Sequence, residues 1–197
     1  MTYVSPARIE ELAAEIWRRH RLEPGFDTEL LLDELELDLL WETVAEEAGR
    51  EVLGQLVPEL RLVTLNESHR DRLEAKQGRV RRFTLGHEIG HWMLHCGGTP
   101  TRAGGRPACR GESPDSRERQ ADMYAAALLM PEDRVLAALP ASHWSGWPAV
   151  YRLADAFVVT VTAMVRRLEE LRCVRRDRTG VPVSDRLAPV EQDALFD

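Results

Sequence analysis

The sequence predicts an α+β chain that is mainly helical, with a small three-stranded antiparallel sheet and a helix-turn-helix-like pair of helices towards its C-terminus. Stretches with apolar residues at helical spacing dominate both halves of the chain. Three short apolar or alternating runs, at 37–43, 52–57 and 60–65, are bounded by Gly49 and Pro58 and indicate strands. With 197 residues, 44% of them hydrophobic, the chain is long enough for one domain with its own core.

Composition narrows the class of protein. The longest apolar run, 123–130, is far shorter than the roughly 20 residues that cross a bilayer. The N-terminus is an acidic amphipathic segment without the features of a signal peptide, so we expect a cytoplasmic protein with no membrane partner. Three cysteines, Cys96, Cys109 and Cys173, are too few for a disulfide framework and are expected to be free thiols.

The formal net charge of −7 is unevenly distributed, with 15 acids and 5 arginines in residues 1–60 and a balance of +3 in the remainder. This distribution argues against non-specific polyanion binding by the whole chain. It leaves contact with DNA or an acidic partner open for the C-terminal part.

The first predicted elements form a scaffold. Residues 6–21 are predicted to be a helix that ends at Pro24 and Gly25, and a second short helix is predicted after Asp27. The three strands follow. Residues 66–81 are polar and lead into the next helix, and helix is predicted for their second half.

Residues 82–95 read RFTLGHEIGHWMLH and contain the zinc-peptidase pattern HExxH. His87 and His91 lie one helical turn apart, about 6 Å along the axis, so both imidazoles can bind one tetrahedral Zn²⁺. Glu88 then stands beside the metal, where it can take a proton from a bound water during amide hydrolysis. The alternative is a core helix that carries two histidines by chance. His95 lies about 12 Å from His87 along the axis, too far to share the ion.

A third ligand is needed, because a catalytic zinc usually has three protein ligands and one water. Residues 113–131 read SPDSRERQADMYAAALLMP and predict a helix with Ser113 as N-cap. Glu118 and Asp122 stand four apart on one face of it. Glu118 can be the third ligand, and Asp122 can accept the second N–H of a ligand histidine. The alternative role for Glu118 is a capping-box partner of Asp115.

These two stretches closely resemble the ImmA/IrrE zinc metallopeptidases, whose hallmarks are RFTLAHELGH and a downstream helix of the pattern E-x-x-A-N/D-x-F-A-A-x-L-L-M-P. The resemblance runs from about residue 5 to 174 and implies a zincin-like metallopeptidase fold. It implies zinc on His87, His91 and Glu118, with Glu88 as general base and acid. The chain departs from the family pattern at three positions: it has Gly86 in place of Ala, Tyr124 in place of Phe and Asp122 in place of Asn. None of these departures removes a ligand.

The resemblance further implies a zinc endopeptidase that cleaves a helix-turn-helix transcriptional repressor in a stress or mobile-element response. In zincin-like folds an edge strand lies beside the metal cleft and can pair with the substrate backbone, but the sequence does not indicate which strand. Mn²⁺ is an alternative to Zn²⁺, because cellular supply decides occupancy as much as ligand type. The competing hypothesis is a non-proteolytic DNA- or partner-binding regulator with a structural or vestigial metal site. The intact Glu88 argues against it, since a structural site needs no general base.

Residues 97–115 contain five Gly and three Pro and join the two ligand-bearing helices, so they are either a lid or a solvated insertion. Three residues are candidates for stabilising the oxyanion that forms as water attacks. No spacing distinguishes among them: His143, Tyr151 and His95.

We predict a peptidase domain over 1–176 that includes the helix-turn-helix-like pair at about 147–172, with Thr160 capping the second helix and Val158 where the turn usually has Gly. The pair either completes the domain or docks a partner or DNA, in which case Arg166 and Arg167 are expected to contribute. Residues 177–197 are predicted to be a flexible tail. Its Gln192, Leu195 and Phe196 resemble the QxxLF peptide by which bacterial proteins dock on the sliding clamp.

Overall fold

The computed structural model describes residues 4–46, 51–96, 114–139 and 144–184. The predictions for the 97–113 part of the proposed lid, for His143 and for the clamp-like peptide at 192–196 lie outside these residues. The helices and strands, in chain order, are α1 Pro6–His20, α2 Thr28–Glu34, β1 Asp38–Glu42, β2 Gly54–Val57, β3 Leu62–Asn66, α3 Arg70–His95, α4 Pro114–Leu129, α5 Glu132–Ala138, α6 Trp147–Ala156, α7 Val161–Glu170, β4 Val174–Arg176 and β5 Pro182–Ser184.

Polar side chains fix where the first two helices begin. The Ser5 hydroxyl accepts a hydrogen bond from the backbone N–H of Arg8, and the Asp27 carboxylate accepts one from the N–H of Glu29. Such caps satisfy backbone donors that have no partner within the helix. α1 ends at Arg21, which adopts a left-handed conformation with φ 50°. The predicted helix 6–21 and the helix after Asp27 are both confirmed within a residue.

The sheet has three strands, as predicted, but it is mixed rather than antiparallel. β3 lies in the centre, antiparallel to β2 and parallel to β1. The antiparallel prediction was wrong because apolar runs indicate strands but not their direction. β2 and β3 form a hairpin, whereas the connection after β1 carries the chain to the far side of β3. β1 and β2 are therefore the two edges of the sheet.

α3 is interrupted before it reaches the HExxH segment. Four residues, 75–78, have non-helical backbone angles, and Lys76, Gln77 and Gly78 are left-handed. The helical conformation resumes at Arg79, so helix in the second half of 66–81 is confirmed only for its last residues. Because the ligand-bearing part of α3 starts after this break, its direction is set by its own packing rather than by the preceding turn.

α4 lies between two hydrophobic cores. One core contains α1, α2, β3 and the apolar face of α3, and α4 adds Tyr124 and Leu128 to it. The other contains α5, α6 and α7, and α4 adds Ala126 and Leu129. The indole N–H of Trp17 on α1 donates a hydrogen bond to the carbonyl of Leu128 at 2.6 Å. A helix that is apolar on both sides is expected in such a central position.

α6 and α7 form the predicted helix-turn-helix-like pair, with the Thr160 hydroxyl accepting from the N–H of Ala163. Val158 in the turn has φ 50°, the left-handed conformation for which glycine is the usual residue. α3 holds this turn. Arg82 Nε donates to the carbonyl of Val158 at 3.1 Å, and Arg79 donates to the carbonyl of Val159 at 3.0 Å. The pair is thus packed onto the helix that carries the HExxH histidines.

Arg166 and Arg167, both expected to face a partner, lie in different environments. Arg166 is exposed. Arg167 is 4% exposed and forms a bidentate ion pair with Glu10 of α1, at 2.7 and 2.9 Å. Its Nε donates to the carbonyl of Met130. The expectation for Arg167 was wrong because a helical period does not reveal which arginine packs inward against a distant helix.

The segment assigned to a tail from residue 177 begins in an ordered hairpin. β4 and β5 pair in antiparallel fashion, and Val183 also bridges to Ser145. Residues 185–197 lie outside the described part of the chain. Among the helices that the structure describes, none alone is long and apolar enough to span a membrane. The α6–α7 pair meets that criterion only when its two helices, bent by 103°, are taken together.

Candidate metal centre and cleft

Small residues bring α3 and α4 close together. A Cβ atom on Gly90 would lie 3.0 Å from the carbonyl oxygen of Ala121 and 3.1 Å from its Cα. A Cβ on Gly86 would lie 3.4 Å from the Cβ of Ala125, which is ordinary contact. Gly90 thus permits a close approach of the two helices, and alanine, the usual residue of the resembled family at position 86, fits there. This approach carries Glu118 and Asp122 towards the HExxH histidines.

Three side chains converge so that they could hold a metal ion: His87, His91 and Glu118. The two Nε2 atoms are 3.0 Å apart. One carboxylate oxygen of Glu118 lies 3.3 Å from His87 Nε2, and the other lies 3.6 Å from His91 Nε2. Two ligands at about 2.1 Å from a tetrahedral ion are about 3.4 Å apart, so these separations fit one zinc. Two imidazoles and a carboxylate are also a common catalytic zinc ligand set.

Asp122 lies on the outer side of the same histidine. Its carboxylate is 2.8 Å from His87 Nδ1. When Nδ1–H donates to Asp122, the lone pair of Nε2 points to the other two ligands. The structure thus has the contact that was predicted for Asp122, and this contact would favour the tautomer of His87 that a metal requires.

The carboxylates also govern the protonation of His87. Burial lowers the pKa of His87, but hydrogen bonds to Asp122 and Glu118 outweigh burial and raise this pKa to about 10. The same hydrogen bonds from His87 and His91 lower the pKa of Glu118. A metal ion competes with the proton for His87 Nε2, because a ligand imidazole must be neutral at that atom. Metal binding here would thus be coupled to the release of a proton.

Glu88 is 5% exposed, and its Oε1 is 3.4 Å from the position that a Cβ on Gly54 of β2 would occupy. Burial raises the pKa of its carboxyl group, and the nearby His87 and His91 oppose that shift. The backbone N–H of Leu56 in β2 is a further group that opposes the shift. A carboxyl group whose pKa is raised above its ordinary value is a stronger proton acceptor in its ionised form.

A cleft of about 1010 Å³ runs past these residues. One wall is β2 with the residues that precede it, and the other is formed by α3 and α4. β2 is thus the edge strand beside the ligand cluster, which answers the question that the sequence left open. The charged or titratable side chains that line the cleft are Glu51, Glu59, His87, Glu88, His91, Cys96, Arg117, Glu118 and Asp122.

The remaining predicted site residues lie elsewhere. His95 is buried, and its Nε2 is 3.3 Å from the carbonyl of Arg117. Tyr151 is 49% exposed on α6, where its ring stacks on Trp147. Neither residue lines the cleft, and His143 lies outside the described residues. Cys96 is 6% exposed and borders the cleft, and Cys173 is buried in the second core.

Sequence reasoning missed the contribution of Gly54 and Leu56. A Cβ on Gly54 would lie 2.7 Å from Thr84 Cγ2 and 3.4 Å from Glu88 Oε1, so glycine permits β2 to approach α3. A glycine inside an apolar strand pattern is a signal for such close backbone approach. That signal was present at Gly54, but nothing in the sequence showed which element would approach it.

An HExxH helix packs against a small mixed sheet, and a carboxylate from the following helix lies beside both histidines, so that the three side chains could hold a metal ion. Comparison with known proteins agrees. A peptidase family model, Peptidase M78, described as the IrrE N-terminal-like domain, matches residues 60–169, more than half of the chain. The chain therefore belongs to this family, as the resemblance to the ImmA/IrrE peptidases indicated.

Among solved structures, the chain is similar to a Mycobacterium tuberculosis transcriptional regulator, with a TM-score of 0.54 and 14% sequence identity. The match covers 91% of this chain and 54% of that one, so the chain spans about half the length of that regulator. At this identity the likeness shows the fold alone. No curated protein gives a significant match to the chain.

Proposed function

We propose that the chain is a zinc-dependent endopeptidase. The observation that carries the proposal is the convergence of His87, His91 and Glu118 on one point, with the non-ligand carboxylate of Glu88 on the adjoining wall of the cleft. A structural metal site has no need of such a carboxylate. The family match to an IrrE N-terminal-like peptidase domain supports the same reaction.

Zn²⁺, when bound, supplies Lewis acidity and lowers the pKa of a coordinated water. His87, His91 and Glu118 would hold the ion, and Asp122 keeps His87 in the required tautomer. Glu88 accepts the proton of the attacking water and returns it to the amine that leaves. Because Glu88 is buried, its carboxylate interacts with reacting groups more strongly than a solvated one would.

β2 supports binding of an extended peptide. It is a sheet edge that lines the cleft, and an unpaired edge can hydrogen-bond a peptide backbone. Backbone pairing discriminates little between sequences, so a narrow specificity requires further contacts. A helix-turn-helix repressor as the substrate rests on the family resemblance, and we propose it as the first protein to try.

The experiment compares cell lysates incubated with the zinc-loaded chain and with its Glu88→Gln variant. Mass spectrometry of new N-termini identifies the bonds that are cut. We expect one or a few Glu88-dependent cleavages in a single repressor-type protein. Cleavage of many unrelated proteins would contradict the regulatory role, and the absence of any Glu88-dependent N-terminus with zinc or manganese supplied would contradict the peptidase.

A non-proteolytic regulator is the second candidate, favoured by the regulator among the structural neighbours. DNA binding would place the exposed face of α7 on phosphates. That face carries Thr162, Arg166 and Glu170, a mixture of charges with little attraction for a polyanion. Duplex binding that weakens steeply with salt, together with no proteolysis, would establish this candidate instead.

A further inference from the structure

The orientation of Glu88 depends on the strand that lines the cleft, and this follows from the hydrogen-bond pattern of the sheet. Asn66 N–H donates to the carbonyl of Leu53 at 2.9 Å, so Leu53 and Asn66 form a hydrogen-bonded pair. Hydrogen-bonded and non-bonded pairs alternate along an antiparallel ladder. Gly54 and Leu56, opposite Leu65 and Val63, are therefore in non-bonded pairs.

The backbone groups of a non-bonded pair point away from the partner strand. The N–H groups of Gly54 and Leu56 consequently face the outer edge of β2, on the side away from β3. The Glu88 carboxylate lies beside this edge, because its Oε1 is 3.4 Å from the position that a Cβ on Gly54 would occupy. The N–H of Leu56 on this edge is also one of the groups that oppose the rise in the pKa of Glu88 caused by burial.

Gly54 allows this contact to form. Its missing Cβ would overlap Thr84 Cγ2 at 2.7 Å, and Thr84 lies one helical turn before Glu88 on α3. The Thr84 hydroxyl is bonded to the carbonyl of Val80 at 3.1 Å, which fixes the methyl group towards β2. Any side chain at position 54 would push the strand away from α3 and lengthen the Leu56 contact.

We propose that Leu56 N–H is the positioning group for the general base Glu88, and that Gly54 is the residue that makes this possible. The inference rests on the proposed peptidase function. It adds that one edge strand orients both the base and a paired peptide, because the outward N–H and carbonyl of Gly54 and the outward carbonyl of Leu56 remain for a peptide backbone. The positions of the base and of the scissile bond are then both set by β2.

Amide hydrogen exchange measured by NMR tests the contact without reference to activity. In the zinc-loaded chain, Glu88→Ala should speed exchange at Leu56 by roughly tenfold or more, because a hydrogen bond to a charged group is lost. Gln55 and Val57, whose N–H groups face β3, serve as internal controls and should change little. Unchanged exchange at Leu56, or equal acceleration at all three amides, would overturn the proposal.

Kinetic measurements on variants test the consequence for catalysis. The substrate is the protein in which the lysate experiment finds a Glu88-dependent N-terminus. Leu56→Pro removes the N–H, which an edge strand tolerates at an outward position, whereas Leu56→Ala keeps it. We expect both variants to retain zinc and kcat of Leu56→Pro to be at least tenfold below that of Leu56→Ala. Equal kcat values would refute a positioning role.

Gly54 is tested by rescue. Gly54→Ala should lower kcat while zinc content is retained, and adding Thr84→Ser should restore most of the loss because it removes the overlapping methyl group. Thr84→Ser alone should behave like the wild type. Failure of the double variant to recover would refute the steric role of Gly54. If the wild type cleaves nothing, the proposed function fails, and the exchange measurement still decides the Leu56 contact.

Discussion

At the scale of single residues, two carboxylates beside the histidines act in different ways. The carboxylate oxygens of Glu118 lie 3.3 and 3.6 Å from the Nε2 atoms of His87 and His91, close enough for all three residues to bind one ion. Asp122 contacts only the Nδ1 of His87. The difference follows from the helix: residues 118 and 122 are one turn apart on α4, so they meet His87 from opposite sides of its ring. One can bind a metal, and the other can orient the ring.

Asp122→Ala should weaken zinc binding, because His87 loses the acceptor that fixes its tautomer. Loss of such a partner typically costs about 10- to 100-fold in metal affinity or activity. Asp122→Asn is the matched control, since its amide oxygen can still accept from Nδ1–H, and it should remain close to the wild type. Competition with a zinc chelator measures both affinities. A wild-type affinity in the alanine variant would show that Asp122 has no role at the site.

Tyr124 is a residue at which this chain departs from the resembled family, where Phe is usual. Its side chain is fully buried, burial raises its pKa, and its hydroxyl has no hydrogen-bond partner within the described part of the chain. Tyr124→Phe should therefore leave stability unchanged or raise it, by up to about 1 kcal/mol, because an unsatisfied buried group costs free energy. Urea unfolding measures the change. A loss above 1 kcal/mol would show that the hydroxyl does have a partner.

At the scale of elements, the contact between α3 and α4 assembles the site, and two glycines test it. Gly90→Ala should reduce both stability and zinc affinity, because its Cβ would be 3.0 Å from the backbone oxygen of Ala121. Gly86→Ala should be tolerated, and the gain in helix propensity, about 1 kcal/mol, favours it. Thermal unfolding and zinc titration of the two variants measure the difference. Equal effects would mean that the helices are not in close contact at Gly90.

The α6–α7 pair gives a second matched test. Arg167→Glu should cost about 3–5 kcal/mol, because it leaves Glu10 facing a buried like charge in place of its ion pair. Arg166→Glu changes the same charge on an exposed position and should stay within about 0.5 kcal/mol of the wild type. Denaturant unfolding compares them. Similar stability of the two variants would contradict the burial of Arg167.

At the scale of the whole molecule, local patterns predicted the helices and the ligands but not the contacts between distant segments. The HExxH spacing and the Glu118 to Asp122 spacing each lie within one helix, so helical geometry alone relates them. The direction of β1, the inward position of Arg167 and the approach of Gly54 to Thr84 depend on packing between segments far apart in sequence. No local periodicity encodes those relations.

The central claim is that three residues hold the zinc and that Glu88 takes the proton of the attacking water without binding the zinc. The most direct measurement is zinc content by elemental analysis, paired with cleavage, for the wild type, Glu118→Ala and Glu88→Gln. We expect about one zinc per chain in the wild type and in Glu88→Gln, most of it lost in Glu118→Ala, and cleavage in the wild type only. Full zinc occupancy in Glu118→Ala, or undiminished cleavage by Glu88→Gln, would contradict the account.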